Sequence, residues 1–195
     1  MSTNTKERAA LERIVTGAFR ELTGRGSEPL RYAMMTDTPV GVLGLAIGAQ
    51  GLCRLSFVKD EEHFLRRLLD EFADRPVFPS NKLDQVRREL DRYFAGKKLT
   101  FDVPVDLSLM HGFSLKVLEQ TARIPVGQVR TYTEVAGKAG NKRASRAAGN
   151  ALHNNPIAIV VPCHRVLRSD GSLGGYGGGL PVKEWLLQHE GATLL

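Results

Sequence analysis

Cysteine is scarce in this chain, and long apolar runs are absent from it. Its 195 residues include two cysteines, Cys53 and Cys163, which stand far apart in unlike surroundings. Such a pair forms neither a disulfide framework nor a zinc ligand set, so we expect free thiols in a reducing compartment. No apolar run approaches the roughly 18 residues of a membrane span, and the first residues lack the apolar core of a signal peptide. We therefore expect a soluble protein with no membrane partner, in the cytoplasm or, in a eukaryote, the nucleus.

Acidic residues are few in the second half of the chain. Residues 1–107 hold 17 Lys or Arg and 16 Asp or Glu, whereas residues 108–195 hold 10 against 5. This excess indicates a polyanionic partner for the second half, because each phosphate that a cation neutralises releases counterions. The composition is otherwise ordinary, with 42% hydrophobic and 25% charged residues, and the length suits one large domain or two small ones.

Residues 1–107 have the pattern of a small α/β domain with an extra helix in front of it. Apolar residues at helical spacing predict an amphipathic helix over residues 6–24, packed on the domain or used as a partner-binding arm. Turn sequences separate three short apolar segments, which predict antiparallel strands at residues 30–35, 42–48 and 51–57. Cys53 falls in the third strand, as a small buried apolar residue. Helices are predicted over residues 60–75 and 81–95, and the domain boundary follows a short extended piece.

The second half begins with a helical pattern. Helices are predicted over residues 112–122, 132–139 and 142–153. Thr131 is the expected N-cap of the second helix, since Thr131 and Glu134 have the spacing of a capping box. A glycine-containing turn joins the second helix to the third, and the third is basic. This arrangement predicts a helix-turn-helix.

The third of these helices is built almost wholly from small residues. They are Ala144, Ser145, Ala147, Ala148, Gly149 and Ala151. One interpretation is close packing inside the domain. The other is a helix that closely approaches the backbone of a partner. A smooth face with one long cation, Arg146, suits the narrow minor groove of DNA, where a wedge can enter the base stack.

A run of five apolar residues, Ile157 to Val161, leads into Pro162, Cys163 and His164. A branched apolar run that stops at a proline predicts a buried strand, which here delivers a thiol beside an imidazole. Cysteine attacks as a thiolate, so a neighbouring base matters. By itself, however, the dipeptide favours a buried structural pair over a nucleophile with its base.

The last segment combines a glycine-rich loop with a helix. A hairpin is predicted to turn at residues 169–171, and residues 174–179 are five glycines around Tyr176. No Lys-Ser or Lys-Thr follows, which argues against a phosphate loop and favours a loop that closes over something flat. Pro181 opens the final helix. Glu190 lies in its last turn, where the helix dipole disfavours a carboxylate, which suggests that this side chain holds an imidazole.

These motifs together resemble the methylated-DNA–protein-cysteine methyltransferases, the O6-alkylguanine-DNA alkyltransferases. The resemblance covers about residues 108–191 and is carried by Tyr132, Asn141 to Arg146, Asn155-Pro156, Pro162 to Arg165, Gly174 to Tyr176, Val182 to Leu187 and Glu190-Gly191. It implies an α/β fold with a ribonuclease H-like N-terminal domain of antiparallel sheet plus helices. A mostly helical, winged-helix-like domain with a helix-turn-helix follows over residues 108–195.

The resemblance implies a DNA repair protein that flips O6-alkylguanine and O4-alkylthymine out of duplex DNA through the minor groove. The alkyl group would pass irreversibly to Cys163, attacking as a low-pKa thiolate, so that each molecule acts once without metal or cofactor. His164 would take the thiol proton through a water, oriented by Glu190. Tyr132 would donate a proton toward guanine N3, and Asn155 would brace the turn before the active-site strand.

The resemblance also implies which residues hold the substrate, and Arg146 would fill the gap that the flipped nucleotide leaves. The expected DNA contacts are Thr131, Ser145, Arg146, Ala147 and Gly149. The expected alkylguanine pocket comprises Pro162, Val166, Tyr176, Gly177 and Trp185. The partner would be double-stranded DNA carrying alkylated bases, bound by a monomer whose cooperativity on DNA is left open.

Three residues depart from the family pattern. His153 stands where members often carry Arg, which would weaken a phosphate contact or make it pH-sensitive. Asn150 and Gly177 stand where many members have Gly and Ser, and the second change would remove a hydroxyl contact and loosen the substrate range.

Two rival classes remain at this point. A non-catalytic relative that flags alkylated DNA would share the DNA-binding features, but such proteins replace the acceptor cysteine. A Cys-His hydrolase would use the same two side chains and would leave the small-residue helix unexplained. Adjacent residues on a strand also point to opposite faces, which favours a bridging water over direct contact between Cys163 and His164.

Overall fold

The computed structural model describes residues 28–73, 75–80 and 83–192, so the helix predicted at residues 6–24 lies outside the described residues. The N-terminal part is built on a sheet whose strand order is β3-β2-β1-β4. Its strands are β1 (Leu30–Met35), β2 (Leu43–Gly48), β3 (Gly51–Phe57) and β4 (Val77–Pro79). The first three pair antiparallel, as predicted. The edge strand β4 pairs parallel to β1 and was not predicted, because three residues ending in proline show no alternation.

Two helices cover the two faces of this sheet. Helix α1 (Glu61–Glu71) begins at Asp60, whose side chain accepts a 2.8 Å hydrogen bond from the backbone N–H of His63. It packs with Cys53 on one face of the sheet. Helix α2 (Asp84–Phe94) packs on the other face. Both helices are shorter than predicted, and Cys53 is buried as expected.

The second half is mostly helical, with α3 (Gly112–Ala122), α4 (Tyr132–Lys138), α5 (Ser145–His153) and α6 (Leu180–His189). Helix α5 packs against both α3 and α4. The predicted capping box of Thr131 and Glu134 is present at the start of α4. The start predicted for α5 at Lys142 is wrong. The side chain of Asn141 accepts from the backbone N–H of Arg143 at 3.1 Å, which keeps these residues in a turn.

The predicted hairpin around residues 169–171 forms only its turn. The backbone N–H of Arg168 donates to the carbonyl of Ser172 at 2.9 Å, but no returning strand follows in this described segment. Strand β6 (Val166–Leu167) instead pairs parallel with β5 (Arg130–Thr131), the strand that leads into α4. The pairing therefore ties the segment after Cys163 to the start of the helix-turn-helix.

One hydrophobic core runs through both parts of the chain. It joins Leu55 and Tyr93 from the N-terminal part to Ile157 and Leu186 from the C-terminal part. Backbone hydrogen bonds reinforce it, since the N–H of Leu55 donates to the carbonyl of Pro156 and the N–H of Ala158 donates to the carbonyl of Leu55, both at 2.9 Å. The α/β prediction, with an antiparallel sheet followed by a helical part, is confirmed. In the described ranges no helix has the length and hydropathy to cross a membrane.

Candidate active site

The apolar run before Cys163 is a turn, and the prediction of a strand there is wrong. Ile157 makes a single β-bridge, to Leu55 of β3. Ile159 has a φ of 69°, a left-handed conformation that is rare for a β-branched residue, and Cys163–Arg165 form a turn of 3-10 helix. The apolar residues reflect burial in the core and not an extended backbone. Only Ile157 pairs with a strand residue in the described chain, and one bridge does not make a strand. Such strain persists where the surroundings enforce it, commonly at functional sites.

Asn155 holds this turn from both sides. Its amide nitrogen donates to the carbonyl of Val161 at 2.8 Å, and its amide oxygen accepts from the N–H of Ile157 at 3.0 Å. The same nitrogen lies 3.2 Å from the sulfur of Cys163. These contacts match the bracing role expected of Asn155. Its side chain holds a turn and also contacts the thiol of Cys163.

The side chain of Cys163 is a protonated thiol at neutral pH in this structure, since its pKa is raised. Burial raises its pKa, although the hydrogen bond from Asn155 and the charge of Lys183 act in the opposite direction. The expectation of a low-pKa thiolate is therefore wrong for this DNA-free structure. The reason is that a thiol placed at the edge of a core loses the hydration that stabilises its charged form. A base must remove the proton before this sulfur can attack.

His164 is completely buried, and its Nε2 atom lies 3.0 Å from Oε1 of Glu190. Burial disfavours the charged form of Glu190, but hydrogen bonds from His164 and Arg165 outweigh this effect and lower its pKa to about 2. Because an ionised carboxylate only accepts hydrogen bonds, we assign the imidazole proton to Nε2. The Nδ1 atom then carries a lone pair, and it has no hydrogen-bond partner among the described residues. An imidazole nitrogen that can accept a proton therefore belongs to the residue that follows Cys163 in the chain.

Arg165 neutralises Glu190 from a second direction. Its Nε donates to Oε2 at 2.7 Å, and its Nη2 donates to Oε1 at 2.8 Å. This is a bidentate pair, the strongest geometry for an arginine with a carboxylate. Burial lowers the pKa of His164, and the positive charge of Arg165 adds to this effect. His164 is thus kept neutral and able to accept a proton. Arg165 was part of the sequence motif, but its pairing with Glu190 became visible only in the folded structure.

Lys183 is a second buried cation that the sequence analysis did not single out. It is 0% exposed, and its Nζ atom donates to the carbonyls of Val166, at 2.7 Å, and Leu173. Burial lowers its pKa to about 8. The side chain therefore ties the strand after Cys163 to the segment that leads into the glycine-rich loop.

A pocket of about 240 Å³ opens onto the sulfur of Cys163. Its lining residues are Tyr132, Gly149, Asn150, Leu152, His153, Cys163, Gly175, Tyr176 and Gly177. Tyr176 and Gly177 lie in the wall, as expected for a substrate pocket, but three other expected residues do not. Val166 is fully buried in the core, Pro162 lines a different cavity that also contacts residues 99–105, and Trp185 stacks on His189 with ring centroids 4.6 Å apart. Spacing along the chain does not reveal that these three side chains lie away from the pocket.

An open cleft of about 420 Å³ lies beside this pocket and contains two arginines, Arg146 and Arg168. Its other lining residues are Tyr132, Thr133, Ser145, Gly149, Ser169, Gly174 and Gly175. Thr133, Arg168 and Ser169 were not predicted to line a DNA-binding site. The short β5–β6 pairing brings them together, and it has no signal in the sequence. Thr131 does not line the cleft, since its hydroxyl is engaged in the capping box, whereas Ala147 is exposed on α5.

Tyr132 forms the boundary between the pocket and the cleft, since it lines both. Burial raises the pKa of its hydroxyl, and the nearby Cys163 adds to the effect. The hydroxyl therefore remains protonated at neutral pH and can donate. Gly174 packs directly against it, because a Cβ built on Gly174 would lie 2.9 Å from the Tyr132 oxygen. Tyr132 and Cys163 thus line one pocket, and the buried His164 follows Cys163 in the chain.

Family models and curated relatives match most of the chain. The 6-O-methylguanine DNA methyltransferase ribonuclease-like domain matches residues 30–107, and the DNA binding domain of the same family matches residues 112–192. A methylated-DNA–protein-cysteine methyltransferase of Methanosarcina acetivorans is 38% identical over 161 residues, which cover 83% of this chain and 99% of the relative. The protein of that name from Rattus norvegicus is 34% identical over 174 residues, covering 83% and 82%.

Solved structures give the same result. The crystal structure of Mycobacterium tuberculosis O6-methylguanine methyltransferase matches with a TM-score of 0.71 and 36% identity, covering 83% of this chain and 93% of that chain. The structure of Mycobacterium tuberculosis OGT in complex with DNA matches with a TM-score of 0.71 and 35% identity, covering 83% and 92%. The chain therefore belongs to the 6-O-methylguanine DNA methyltransferase family.

Proposed function

We propose that this protein repairs DNA by transferring an alkyl group from O6-alkylguanine, and from O4-alkylthymine, to its own Cys163. The observation that carries the proposal is Cys163 in the wall of a pocket beside an arginine-containing cleft, followed in the chain by the buried, hydrogen-bonded pair of His164 and Glu190. The protein acts as a methylated-DNA–protein-cysteine S-methyltransferase. It works as a monomer of two domains, with the domain boundary near residue 107. It is located in the cytoplasm or, in a eukaryote, the nucleus.

The transfer begins with proton removal from Cys163. A water passes the thiol proton to Nδ1 of His164, the buried atom without a partner among the described residues, and Glu190 stabilises the resulting imidazolium. The thiolate attacks the alkyl carbon in line with the bond to the base oxygen. As the S–C bond forms, the C–O bond breaks, and its electron pair moves to the oxygen. Tyr132 donates a proton toward guanine N3, so that guanine leaves as a neutral base.

The product is an S-alkylcysteine, and the reaction stops there. A thioether has no leaving group for return to the base, so each protein molecule accepts one alkyl group. The chain needs no metal or cofactor in this scheme, because the thiol supplies the nucleophile and its side-chain neighbours supply the proton transfers.

Recognition of the duplex falls to α5 and the cleft. The reacting atom of the alkylated base lies inside the DNA double helix, so the nucleotide must be extruded. Extrusion opposes binding by a few kcal/mol. The small, exposed face of α5 allows close approach in the minor groove, with Ser145, Ala147 and Gly149 against the backbone. Arg146, which lines the cleft, occupies the space that the extruded nucleotide leaves.

The departures from the family pattern lie in the pocket wall. Asn150, His153 and Gly177 all line the pocket that contains Cys163. A Cβ built on Gly177 would have no atom of the described residues within 4 Å, so this position leaves room that a serine would partly fill. We infer that the pocket admits alkyl groups larger than methyl.

The decisive experiment incubates the protein with duplex DNA that contains O6-methylguanine, followed by mass spectrometry of its peptides. The peptide with Cys163 is expected to gain the mass of one CH2 group, and Cys163→Ser is expected to bind the DNA without any gain. An unmodified Cys163 in protein that has bound the DNA would refute the transferase and leave the non-catalytic, lesion-flagging function.

A further inference from the structure

The carboxylate of Glu190 receives a hydrogen bond from the N-terminal part of the chain. Tyr93, in α2, is 0% exposed, and its hydroxyl donates to Oε1 of Glu190 at 2.7 Å. Among the described residues, the hydrogen-bond donors to this carboxylate are Tyr93, His164 and Arg165. Of the three, only Tyr93 lies outside the part of the chain that carries Cys163.

The position of Tyr93 is fixed by aromatic packing and by the main chain. Its ring lies 5.1 Å from that of Phe101 and 5.6 Å from that of Phe94. The imidazole of His189 meets the ring edge-on at 5.2 Å, and its Nε2 atom lies 2.6 Å from the carbonyl of Tyr93. Both the hydroxyl and the backbone of Tyr93 therefore contact the end of α6, where Glu190 is located. Burial, reinforced by the negative charge of Glu190, raises the pKa of Tyr93, so the hydroxyl remains a donor.

We propose that Tyr93 is a positioning residue for the transfer reaction, holding the Glu190 carboxylate against His164 from the opposite part of the chain. This inference rests on the proposed function. Oε1 of Glu190 accepts from three donors, Tyr93 at 2.7 Å, Arg165 Nη2 at 2.8 Å and His164 Nε2 at 3.0 Å. The donors share the negative charge of one oxygen. Loss of the Tyr93 hydroxyl leaves more of that charge facing the imidazole and removes one restraint on the carboxylate.

The two consequences are separable by experiment. A less restrained carboxylate orients His164 less well, which slows proton transfer from Cys163. A more negative carboxylate stabilises the imidazolium, which raises the pKa of His164. Among the described residues, the other charged or titratable groups around His164 are Glu190, Arg165, Lys183, Tyr176 and Cys163. The substitution of Tyr93 replaces none of these residues, so its expected effect on His164 passes through Glu190.

The test compares Tyr93→Phe with Tyr32→Phe. Tyr32 is a matched control, because it is also buried and its hydroxyl also donates to a glutamate, Glu61, at 2.7 Å in the N-terminal part. Both variants remove one oxygen and keep the ring. We expect Tyr93→Phe to bind DNA normally, to transfer the methyl group roughly tenfold more slowly and to move the acid limb of the rate profile to higher pH. Tyr32→Phe is expected to leave the rate and the profile unchanged.

A second measurement does not depend on transfer. The His164 imidazole is titrated by NMR in the DNA-free wild-type protein, in Tyr93→Phe and in Tyr32→Phe, and its pKa is expected to rise in Tyr93→Phe only. If wild-type protein transfers no methyl group but the titration moves, the proposed function fails and the positioning role stands. If both variants behave alike in rate, pH profile and titration, Tyr93 is a packing residue and the inference is overturned.

Discussion

The side-chain amide nitrogen of Asn155 lies 3.2 Å from the sulfur of Cys163 and 2.8 Å from the carbonyl of Val161. One donor thus shapes the turn that presents the thiol and also favours its ionised form. It opposes the burial that raises the pKa of Cys163. The geometry connects the end of α5, which faces DNA in the proposed complex, with the atom that accepts the alkyl group.

Replacement of Asn155 by aspartate keeps the shape of the side chain but removes the amide N–H that donates to Cys163 and Val161. A carboxylate beside Cys163 repels the thiolate, and each unit by which it raises the pKa of the thiol reduces the thiolate population about tenfold. We expect Asn155→Asp to slow transfer by roughly tenfold or more in single-turnover assays with O6-methylguanine DNA. Asn154→Asp is the control, since the Asn154 side chain donates to the Asn150 carbonyl and not to Cys163. Equal slowing by the two variants would contradict the role of Asn155.

The transfer rate should fall only on the acid side of the ordinary histidine range. Burial lowers the pKa of His164 below its usual 6.5, so the imidazole is still neutral at that pH and becomes charged only as the pH falls further. Glu190, with a pKa of about 2, stays ionised throughout. Single-turnover rates measured across the acid and neutral range should therefore show a midpoint below 6.5. A midpoint at or above that value would show that another group controls the reaction.

Glu190 should contribute to stability in a pH-dependent manner. Its pKa is lowered from 4.5 to about 2, so its contribution is fully present above 4.5 and is lost as the pH falls toward 2. The shift corresponds to about 3 kcal/mol. We expect urea unfolding to show Glu190→Gln less stable than the wild-type protein near pH 5, with the gap narrowing near pH 3. A gap of constant size would mean that the carboxylate charge does not support the fold.

Arg146 should matter for duplex DNA and not for the chemical step. If it fills the space of the extruded nucleotide, Arg146→Ala should slow transfer from duplex DNA by roughly tenfold or more and leave the reaction with free O6-alkylguanine nearly unchanged. Arg66→Ala is the control for lost charge, because Arg66 is exposed on α1 and pairs with Glu62. Equal slowing on duplex and free base would remove the wedge role.

Two glycines of the same loop should respond differently to alanine. A Cβ at Gly174 would lie 2.9 Å from the Tyr132 oxygen, and its φ of +67° disfavours any side chain. In the described part of the chain, no atom lies within 4 Å of a Cβ built on Gly177. Gly174→Ala should therefore displace Tyr132 and slow transfer by roughly tenfold or more, while Gly177→Ala keeps the wild-type rate. The same rate in both variants would show that the position of Tyr132 does not limit the reaction.

The sequence predicted the elements whose signals are local. The strands over 30–35 and 51–57 are short apolar segments between turn sequences, and the capping box of Thr131 fixes the start of α4 from residues three apart. The edge strand β4 and the parallel pairing of β5 with β6 were not predicted. Each is too short for a pattern and depends on a partner distant in the chain.

The sequence by itself determined the family and the α/β fold class, because the order of its motif residues carries that information. It also predicted Cys163, His164 and Glu190 as the catalytic group. The tertiary structure decided how they are arranged. It replaced the expected strand with a strained turn at Ile159, moved Trp185 out of the pocket and brought Tyr93 to Glu190. The physical reason is that hydrophobicity records which residues are buried, whereas the direction of a side chain depends on partners that folding brings from elsewhere in the chain.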